Sequence, residues 1–330
     1  MNIAGLVLNE KIKDPKLKQA LINSSMALGY QFLVQNKVEI SQEIQDKYNP
    51  NTIIKQLSDV EIKMNRNDIN YLATLVYIYY AKGELSQKNK DKINAYEQAI
   101  TNYQQLESEF KSKFKNSLRL FTHDYNILYN GNANIVASVY GRLNELDSKN
   151  TAYHEDFKKH LLNELDYLMK ENRWQDADRK NDQFLLVSAK KEKQGFLELN
   201  DIKNFNCKDL KEVDDLWVKN SGGKFGFSVQ NRIWKETGNS LDLEKWSNEG
   251  YNRFGERVGW KKGKEERGRW MRYSELPLWE YKNLGTYKLM GTLPFHTRVL
   301  SYSDTDTFWL LSDKSDDTFF SFLLAETCRL

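Results

Sequence analysis

Apolar residues recur every three or four positions along most of the first 130 residues, between polar stretches rich in Lys, Glu, Gln and Asn. Such spacing places the apolar side chains on one face of a helix. The pattern is clearest in the segment 93–110, where one helical face carries Ile93, Tyr96, Ala99, Ile100, Tyr103 and Leu106. Together with the apolar segment 69–80, it predicts a helical hairpin that turns around Gly83.

Proline and the polar residues before it indicate where helices begin. Asp14 precedes Pro15, so its carboxylate can cap free amides while proline occupies the first turn of a helix. The pair Asn49 and Pro50 indicates a further break between helices.

Helical spacing continues in the second half of the chain, at Phe157, Leu161, Leu165 and Leu168, and again from Trp174 through Ala177 to Phe184. Between the halves, the polar stretches 126–134 and 147–151 indicate a looser junction. We therefore predict an all-α, mostly helical chain with an N-terminal helical domain over residues 1–150 and a second domain over 151–330.

The composition is that of a soluble globular protein, with 330 residues of which 40% are hydrophobic and 29% charged. The longest apolar run, 72–80, is too short to span a bilayer, and the N-terminus resembles neither a secretory signal nor a transit peptide. The two cysteines, Cys207 and Cys328, are too few for a disulfide framework or a paired-cysteine zinc site. A reducing compartment is the simplest interpretation.

A net charge of +3 gives no strong field over the whole molecule, but basic residues cluster over 261–272. Trp270 lies within this cluster, and Trp260 and Tyr273 flank it. Such a mixture can bind a nucleic-acid strand. Because Glu265 and Glu266 lie inside the cluster and partly cancel it, the sequence favours a solvated loop between two packed aromatic anchors. We expect no nucleic-acid partner.

The most specific pattern is the run DLKEVDDLWVKNSGGKFGFSVQNRIW at 209–234. Further blocks follow the same order along the chain: WQDAD at 174–178, the segment 195–201, FGERVGW at 254–260, the segment 270–276 and GTLP at 291–294. These blocks resemble the Genomes Uncoupled Four family of tetrapyrrole-binding proteins. The resemblance covers about half of the chain and does not extend to residues before about 150.

The resemblance implies a hand-shaped helical domain that holds protoporphyrin IX or Mg-protoporphyrin IX in an apolar groove and acts by binding rather than by catalysis. It implies that the protein stimulates magnesium chelatase, in chlorophyll synthesis, through the large porphyrin-binding subunit of that enzyme. The expected location is the cytoplasm of a cyanobacterium or the chloroplast stroma, with at most a peripheral membrane association.

A porphyrin is a flat apolar disc with carboxylates on one edge, so its site needs apolar walls and a few cations. Val218, Phe225 and Phe227 flank the glycine pair at 222–223, and the resemblance assigns Val218 and Phe227 to the groove. The candidate partners of the propionates are Lys219, Arg232, Arg253 and Arg257.

A structural role competes with ligand contact at several of these positions. The large aromatic residues suit a core better than a ligand site: Trp217, Trp234, Phe254, Trp260 and Trp270. Arg257 suits a surface ion pair as well as a propionate.

Other chemistries find no support in the sequence. His154 and His160 are six residues apart and lie nearer to opposite than to adjacent sides of a helix, so no metal site is expected. The glycines at 222–226 lack the preceding strand and the following Lys-Ser or Lys-Thr of a phosphate-binding loop. A nucleophile at recognisable spacing from a base is also lacking.

The segment 278–317 departs from the family pattern, because it is longer and rich in Tyr, Asp and Ser. Its aromatic residues are candidates for a rebuilt lid over the ligand: Trp279, Tyr287, Phe295 and Trp309. This departure and the unshared first half leave an alternative, a signalling or scaffold protein that uses the domain as a sensor or interaction module without a role at the chelatase.

Overall fold

The computed structural model describes residues 15–47, 49–63, 69–113, 129–130, 133–239, 248–262, 269–271, 293–294 and 324–330. Within these ranges helices make up nearly all of the regular structure, which confirms the all-α prediction. The chain divides into two compact units, Met1–Phe157 and Lys158–Leu330. The lid candidates in the segment 278–317 lie outside the described residues.

The first unit is built from six helices, the start of a seventh and one short hairpin within the described ranges. They are α1 (Pro15–Gln35), α2 (Gln42–Lys47), α3 (Pro50–Lys63), α4 (Ile69–Leu85), α5 (Asn89–Lys113), the antiparallel strands β1 (Tyr129–Asn130) and β2 (Ala133–Asn134), α6 (Ile135–Leu146) and the first residues of α7 (Thr151–Lys170).

Two of these helices begin at the predicted prolines, Pro15 and Pro50. At the second, the side-chain oxygen of Asn49 accepts a hydrogen bond from the backbone N–H of Asn51 over 3.0 Å. The Asn-Pro pair therefore caps α3, whose first N–H groups have no partner inside the helix.

The predicted helical hairpin forms between α4 and α5, but Gly83 lies inside α4 rather than in the turn. A Cβ atom at Gly83 would lie 2.4 Å from the ring of Tyr96, which is 2% exposed. Glycine is therefore needed for the close approach of the two helices, and the prediction of a turn at this position was wrong. The predicted face of α5 is buried at Tyr96, Ala99, Ile100, Tyr103 and Leu106.

The second unit contains the rest of α7 and five more helices within the described ranges. These are α8 (Trp174–Ser188), α9 (Leu199–Lys203), α10 (Cys207–Ser221), α11 (Phe227–Glu236) and α12 (Asn248–Val258). Two short strands, β3 (Lys261–Lys262) and β4 (Arg269–Trp270), then pair antiparallel, and a helical turn lies at 324–327.

The predicted solvated loop at 261–272 is thus closed at its base by paired strands. Its first aromatic anchor, Trp260, is 1% exposed, as predicted. Among the helices of the described ranges, none combines the length and the apolar character that crossing a bilayer requires.

Candidate functional site

The junction between α10 and α11 contains most of the predicted site residues. Helix α10 ends at Ser221 and is followed by Gly222, whose φ of 64° is in the left-handed region that glycine adopts without strain. The hydroxyl oxygen of Ser221 then accepts hydrogen bonds from the backbone N–H groups of Lys224, over 3.1 Å, and Phe225, over 2.9 Å. These contacts fix the turn between the two helices.

A buried carboxylate caps the start of α11. Asp214, in α10, is 4% exposed and accepts a hydrogen bond from the backbone N–H of Ser228 over 3.0 Å. Burial raises the pKa of Asp214, and the hydrogen bonds from Ser228 oppose this shift. The helix therefore receives its cap from another helix rather than from its own N-cap residue, Gly226.

Gly226 is required for this arrangement. Its φ is 134°, and a Cβ atom there would lie 2.7 Å from Oδ1 of Asp214 and 3.0 Å from Cγ2 of Val218. A side chain at position 226 would therefore displace either the capping carboxylate or Val218.

A distant segment docks on the same helix start. The backbone N–H of Gly226 donates to the carbonyl of Leu293 over 3.0 Å, and the amide of Gln230 donates to the carbonyl of Pro294 over 2.7 Å. Leu293 and Pro294 are both buried and are joined by a cis peptide bond. The last family-like block of the sequence, GTLP, thus reaches the junction.

Aromatic residues form the core behind the junction. Trp174 lies 6.1 Å from Trp217 and 5.3 Å from Phe225 between ring centroids. Trp234 and Trp260 both lie edge-to-face on Phe254, at 5.5 and 5.4 Å.

These rings are 0–1% exposed, which confirms the prediction that Trp217, Trp234, Phe254 and Trp260 form a core. The side chain of Trp270, the remaining member of that predicted set, lies outside the described residues.

The predicted groove residues differ in accessibility. Phe225 and Phe227 are both 0% exposed, so neither presents surface to solvent in this conformation. Val218 is half-buried beside Gly226, and Lys219 is exposed at the end of α10. Of the apolar candidates, Val218 is the one that a ligand can reach without a rearrangement, and its assignment to the groove stays a prediction.

The structure brings together three of the four predicted cations around the end of α11. The guanidinium groups of Arg232 and Arg257 lie 3.7 and 3.8 Å from the two carboxylate oxygens of Glu236. The Nε of Arg253 donates to the carbonyl of Thr237 over 3.0 Å.

The side chains of Arg232, Arg253 and Arg257 are 55%, 52% and 65% exposed, respectively. Ion pairs this exposed and this long are weak, so an incoming carboxylate can replace Glu236 at little cost. We call Arg232, Arg253 and Arg257 the arginine cluster. Among the described residues, Lys219 contacts none of the members of this cluster through a hydrogen bond or an ion pair.

Buried charges connect the helices behind the site. Lys158 Nζ lies 2.9 Å from Oδ2 of Asp209, with both side chains under a tenth exposed, and Ser188 donates to the same oxygen over 2.9 Å. Glu164, which is fully buried, lies 3.1 Å from Nζ of Lys180. These pairs are part of the interior rather than of an accessible site.

The two cysteines are bonded to each other, whereas the sequence interpretation was that they are too few for a disulfide framework and that a reducing compartment is the simplest explanation. Cys207 and Cys328 form a disulfide with a Cα–Cα distance of 5.1 Å and a sequence separation of 121. No local pattern indicates such a pairing. The roles of Asp214 and of the segment 293–294 were missed for the same reason, since each acts on residues far away in sequence.

Comparison with known proteins identifies a match between residues 155–306 and the GUN4-like family. A tetrapyrrole-binding chloroplast protein of Arabidopsis thaliana is 36% identical over 70 residues, which are 21% of this chain and 23% of that protein. The uncharacterized protein ycf53 of Porphyra purpurea is 34% identical over 99 residues, 29% of this chain and 37% of that protein.

A Ycf53-like protein of Synechocystis is 31% identical over 68 residues, which are 21% of this chain and 25% of that protein. The chain therefore spans less than half the length of these curated relatives. Among solved structures, the ligand-free GUN4 of Arabidopsis thaliana matches with 27% identity and a TM-score of 0.26, over 30% of this chain and 65% of that chain.

Proposed function

Since the C-terminal half of this chain carries a GUN4-like domain, we propose that the protein binds protoporphyrin IX or Mg-protoporphyrin IX and stimulates magnesium chelatase. The observation that carries the proposal is the ordered set of family-like blocks at 174–294, whose relative in Arabidopsis thaliana is named a tetrapyrrole-binding protein. The protein acts by binding and has no catalytic step of its own.

The arginine cluster supports the ligand class. The guanidinium groups of Arg232 and Arg257 lie near one exposed carboxylate, Glu236, and neither is held in a close bidentate pair with it. The third guanidinium, of Arg253, donates to the carbonyl of Thr237 and lies 4.0 Å from the carboxylate of Glu249. Guanidinium groups bind carboxylates through paired, charge-assisted hydrogen bonds. The propionates of a tetrapyrrole are therefore suitable partners for the exposed end of α11.

Val218 is the proposed apolar contact for the macrocycle. It lies on α10, next to the glycine turn, and is the accessible member of the apolar candidates. Because Phe225 and Phe227 are buried, their part in binding is to hold the turn from behind. A macrocycle that contacts both α10 and α11 lies with its apolar face toward Val218 and its propionates toward the arginine cluster.

Tryptophan fluorescence tests the binding. The described tryptophans of the second unit lie in its core, so a bound macrocycle should quench their emission as deuteroporphyrin is added. Val218→Asp should weaken the saturable quenching about ten-fold or more, because it places a charge against an apolar ring. Leu216→Asp is the matched control, since Leu216 is also half-buried in α10 but lies toward the opposite side of the helix.

The chelatase role has a separate test. Magnesium insertion by the purified chelatase should be faster when this chain is added, and the increase should require the large porphyrin-binding subunit. If the tetrapyrrole quenches fluorescence but the chain has no effect on magnesium insertion, tetrapyrrole binding stands and the chelatase partner is wrong.

The relatives from a chloroplast and from Synechocystis support a chloroplast stroma or a cyanobacterial cytoplasm as the location.

A second candidate function rests on the first unit. The family match begins at residue 155, so nearly all of Met1–Phe157 lies outside it. This favours a signalling or scaffold protein in which the helices of the first unit carry the output of a tetrapyrrole sensor. Removal of magnesium chelatase from the source cell would leave the function of such a sensor intact, whereas a chelatase regulator would lose its role.

A further inference from the structure

The C-terminal segment, Leu324–Leu330, is fastened to two helices of the second unit. Its Cys328 forms the disulfide with Cys207, the first residue of α10. Its terminal carbonyl, at Leu330, accepts a hydrogen bond from the amide of Asn231, in the middle of α11, over 3.0 Å. The segment therefore joins the start of α10 to α11.

The other contacts of the segment are weak by comparison. Lys235 pairs with Glu326 over 2.7 Å, but the two side chains are 56% and 45% exposed, and an exposed pair contributes little. Asn231 also donates to Glu326 over 3.3 Å. Leu324 and Ala325 are buried. When the disulfide is broken, the remaining contacts are those of two buried apolar side chains, the hydrogen bonds from Asn231 and one exposed ion pair.

The segment cannot stay ordered by its own secondary structure. Its internal backbone hydrogen bonds run from Cys328 to Leu324, from Arg329 to Glu326 and from Leu330 to Ala325, over 3.1, 3.0 and 2.8 Å. They close a single helical turn, and one turn is unstable in water without tertiary support. The order of the segment therefore depends on what fastens it to the unit.

The disulfide is accessible to an attacking thiolate. Cys207 is exposed and Cys328 is partly exposed. Exchange requires access to one of the sulfurs, and disulfides that are exposed in this way are more readily reduced than buried ones. The chain has no other cysteine, so reduction cannot be followed by exchange to a different pair.

We propose that Cys207 and Cys328 form a reversible redox switch that releases the C-terminal segment from α11 when a protein dithiol of the thioredoxin class reduces it. One thiolate of the dithiol attacks the sulfur of Cys207, which forms a mixed disulfide and releases Cys328 as a thiolate that takes up a proton. The second thiolate of the dithiol then attacks the dithiol sulfur that is bonded to Cys207. This step releases Cys207 as a thiolate that takes up a proton, and it forms the disulfide of the reductant. Two electrons and two protons pass to this chain, and the dithiol is oxidised.

The switch acts on the two helices that carry the predicted site. Val218 and Lys219 lie near the end of α10, and Arg232 lies next to Asn231 in α11. Release of the segment exposes Asn231, which is 1% exposed in the oxidised form. It also removes the link that the segment makes between α10, through the disulfide, and α11, through hydrogen bonds. The switch itself does not depend on tetrapyrrole binding and is tested without a tetrapyrrole.

Hydrogen exchange of the full chain measures the release. The protein is equilibrated with oxidised dithiothreitol, with reduced dithiothreitol, or with a thioredoxin-type protein kept reduced. The free thiols of the protein are alkylated and then counted by mass spectrometry. We expect zero thiols in the oxidised sample and two in the reduced ones. The amides of Cys328, Arg329 and Leu330 should exchange at least about ten-fold faster after reduction.

Two sets of variants complete the experiment. Cys207→Ser and Cys328→Ser should each show the fast exchange of the reduced protein. Glu326→Gln, which removes the exposed ion pair but keeps both cysteines, should keep the slow exchange of the oxidised protein. If a serine variant does not fold, the reduced wild-type chain supplies the same comparison.

Three results would overturn the proposal. The first is two free thiols in the presence of oxidised dithiothreitol. The second is a disulfide that the thioredoxin-type protein does not reduce in the folded chain. The third is equal exchange of the C-terminal segment in the oxidised and reduced proteins.

Discussion

The carboxylate of Asp214 and the backbone N–H of Ser228 are joined by a hydrogen bond of 3.0 Å that ties α10 to the start of α11. The first N–H groups of a helix have no partner inside it, so a carboxylate at that end satisfies them and interacts favourably with the helix dipole. Because Asp214 is 4% exposed, water cannot replace it easily.

Asp214→Ala should lower the free energy of unfolding by about 1–3 kcal/mol, because buried N–H groups lose their acceptor. Asp214→Asn keeps an acceptor oxygen and should cost less. Urea unfolding of the three proteins measures the difference. Equal stability of the alanine variant and the wild type would contradict the role of Asp214 as the cap of α11.

The pKa shift of Asp214 predicts how the difference in stability between the wild type and Asp214→Asn changes with pH. Burial raises the pKa in the folded state, so the folded protein holds the proton at a pH where the unfolded chain has lost it. Ionised Asp214 therefore lowers the stability of the folded protein at a pH above its folded pKa. This loss of stability decreases as the pH falls below that pKa, because the folded protein then binds the proton. The stability of wild type relative to Asp214→Asn should increase on acidification, and a decrease would contradict the shift.

Gly226→Ala should destabilise the second unit by about 2 kcal/mol or more, because the backbone conformation and the lack of space both oppose a side chain. Gly223→Ala is a matched control, since Gly223 also has a positive φ, of 80°, but has nothing within 4 Å of an added Cβ atom. Thermal unfolding should show a larger loss for Gly226→Ala. A larger loss for Gly223→Ala would mean that the contact with Asp214 is unimportant.

The buried pair of Lys158 and Asp209 predicts strong coupling between α7 and α10. Lys158→Met or Asp209→Leu alone should cost about 3–5 kcal/mol, because each leaves an unpaired buried charge. The double variant should recover much of that loss, since the interior then holds neither charge. A double-mutant cycle by urea unfolding measures the coupling, and additive losses would contradict it.

In the first unit, Gly83→Ala should lower stability despite the higher helix propensity of alanine, because the added Cβ atom would lie 2.4 Å from the ring of Tyr96. Gly141→Ala is the matched control, since its Cβ atom would meet the ring of Phe157 at an ordinary 3.7 Å. Gly141→Ala should leave the thermal midpoint unchanged or raise it. The opposite order of the two variants would contradict the close packing of α4 on α5.

Periodic features could be predicted from the sequence, and pairings between distant residues could not. The spacing of apolar residues correctly assigned the buried face of α5, because helical period determines which side chains face the core. The glycine inside the hairpin was placed in the turn because a glycine that permits a close approach and a glycine that permits a turn look alike in one sequence. Only the position of Tyr96 distinguishes them.

The candidate site shows the same division. The resemblance supplied Val218, and the needs of the propionates supplied the four cations, but the grouping of the cations depends on how α11 and α12 pack. This packing brings Arg232 and Arg257 to one carboxylate and leaves Lys219 apart. The disulfide joins residues separated by 121 positions, beyond the reach of any local pattern. Phe227 was assigned to the groove by the resemblance and Phe225 by its nearness to the glycine turn, whereas the fold buries both.

The absorption of a bound tetrapyrrole tests the central claim most directly. Deuteroporphyrin and its magnesium form are titrated with the full wild-type chain, with the triple variant Arg232→Gln, Arg253→Gln and Arg257→Gln, and with a control that loses three exposed cations of the same unit, Lys159→Gln, Lys208→Gln and Lys211→Gln. We predict a saturable shift of the main absorption band in the wild type and the control, and an affinity at least about ten-fold lower in the arginine variant. A wild-type chain that gives no saturable shift with either tetrapyrrole would contradict the account.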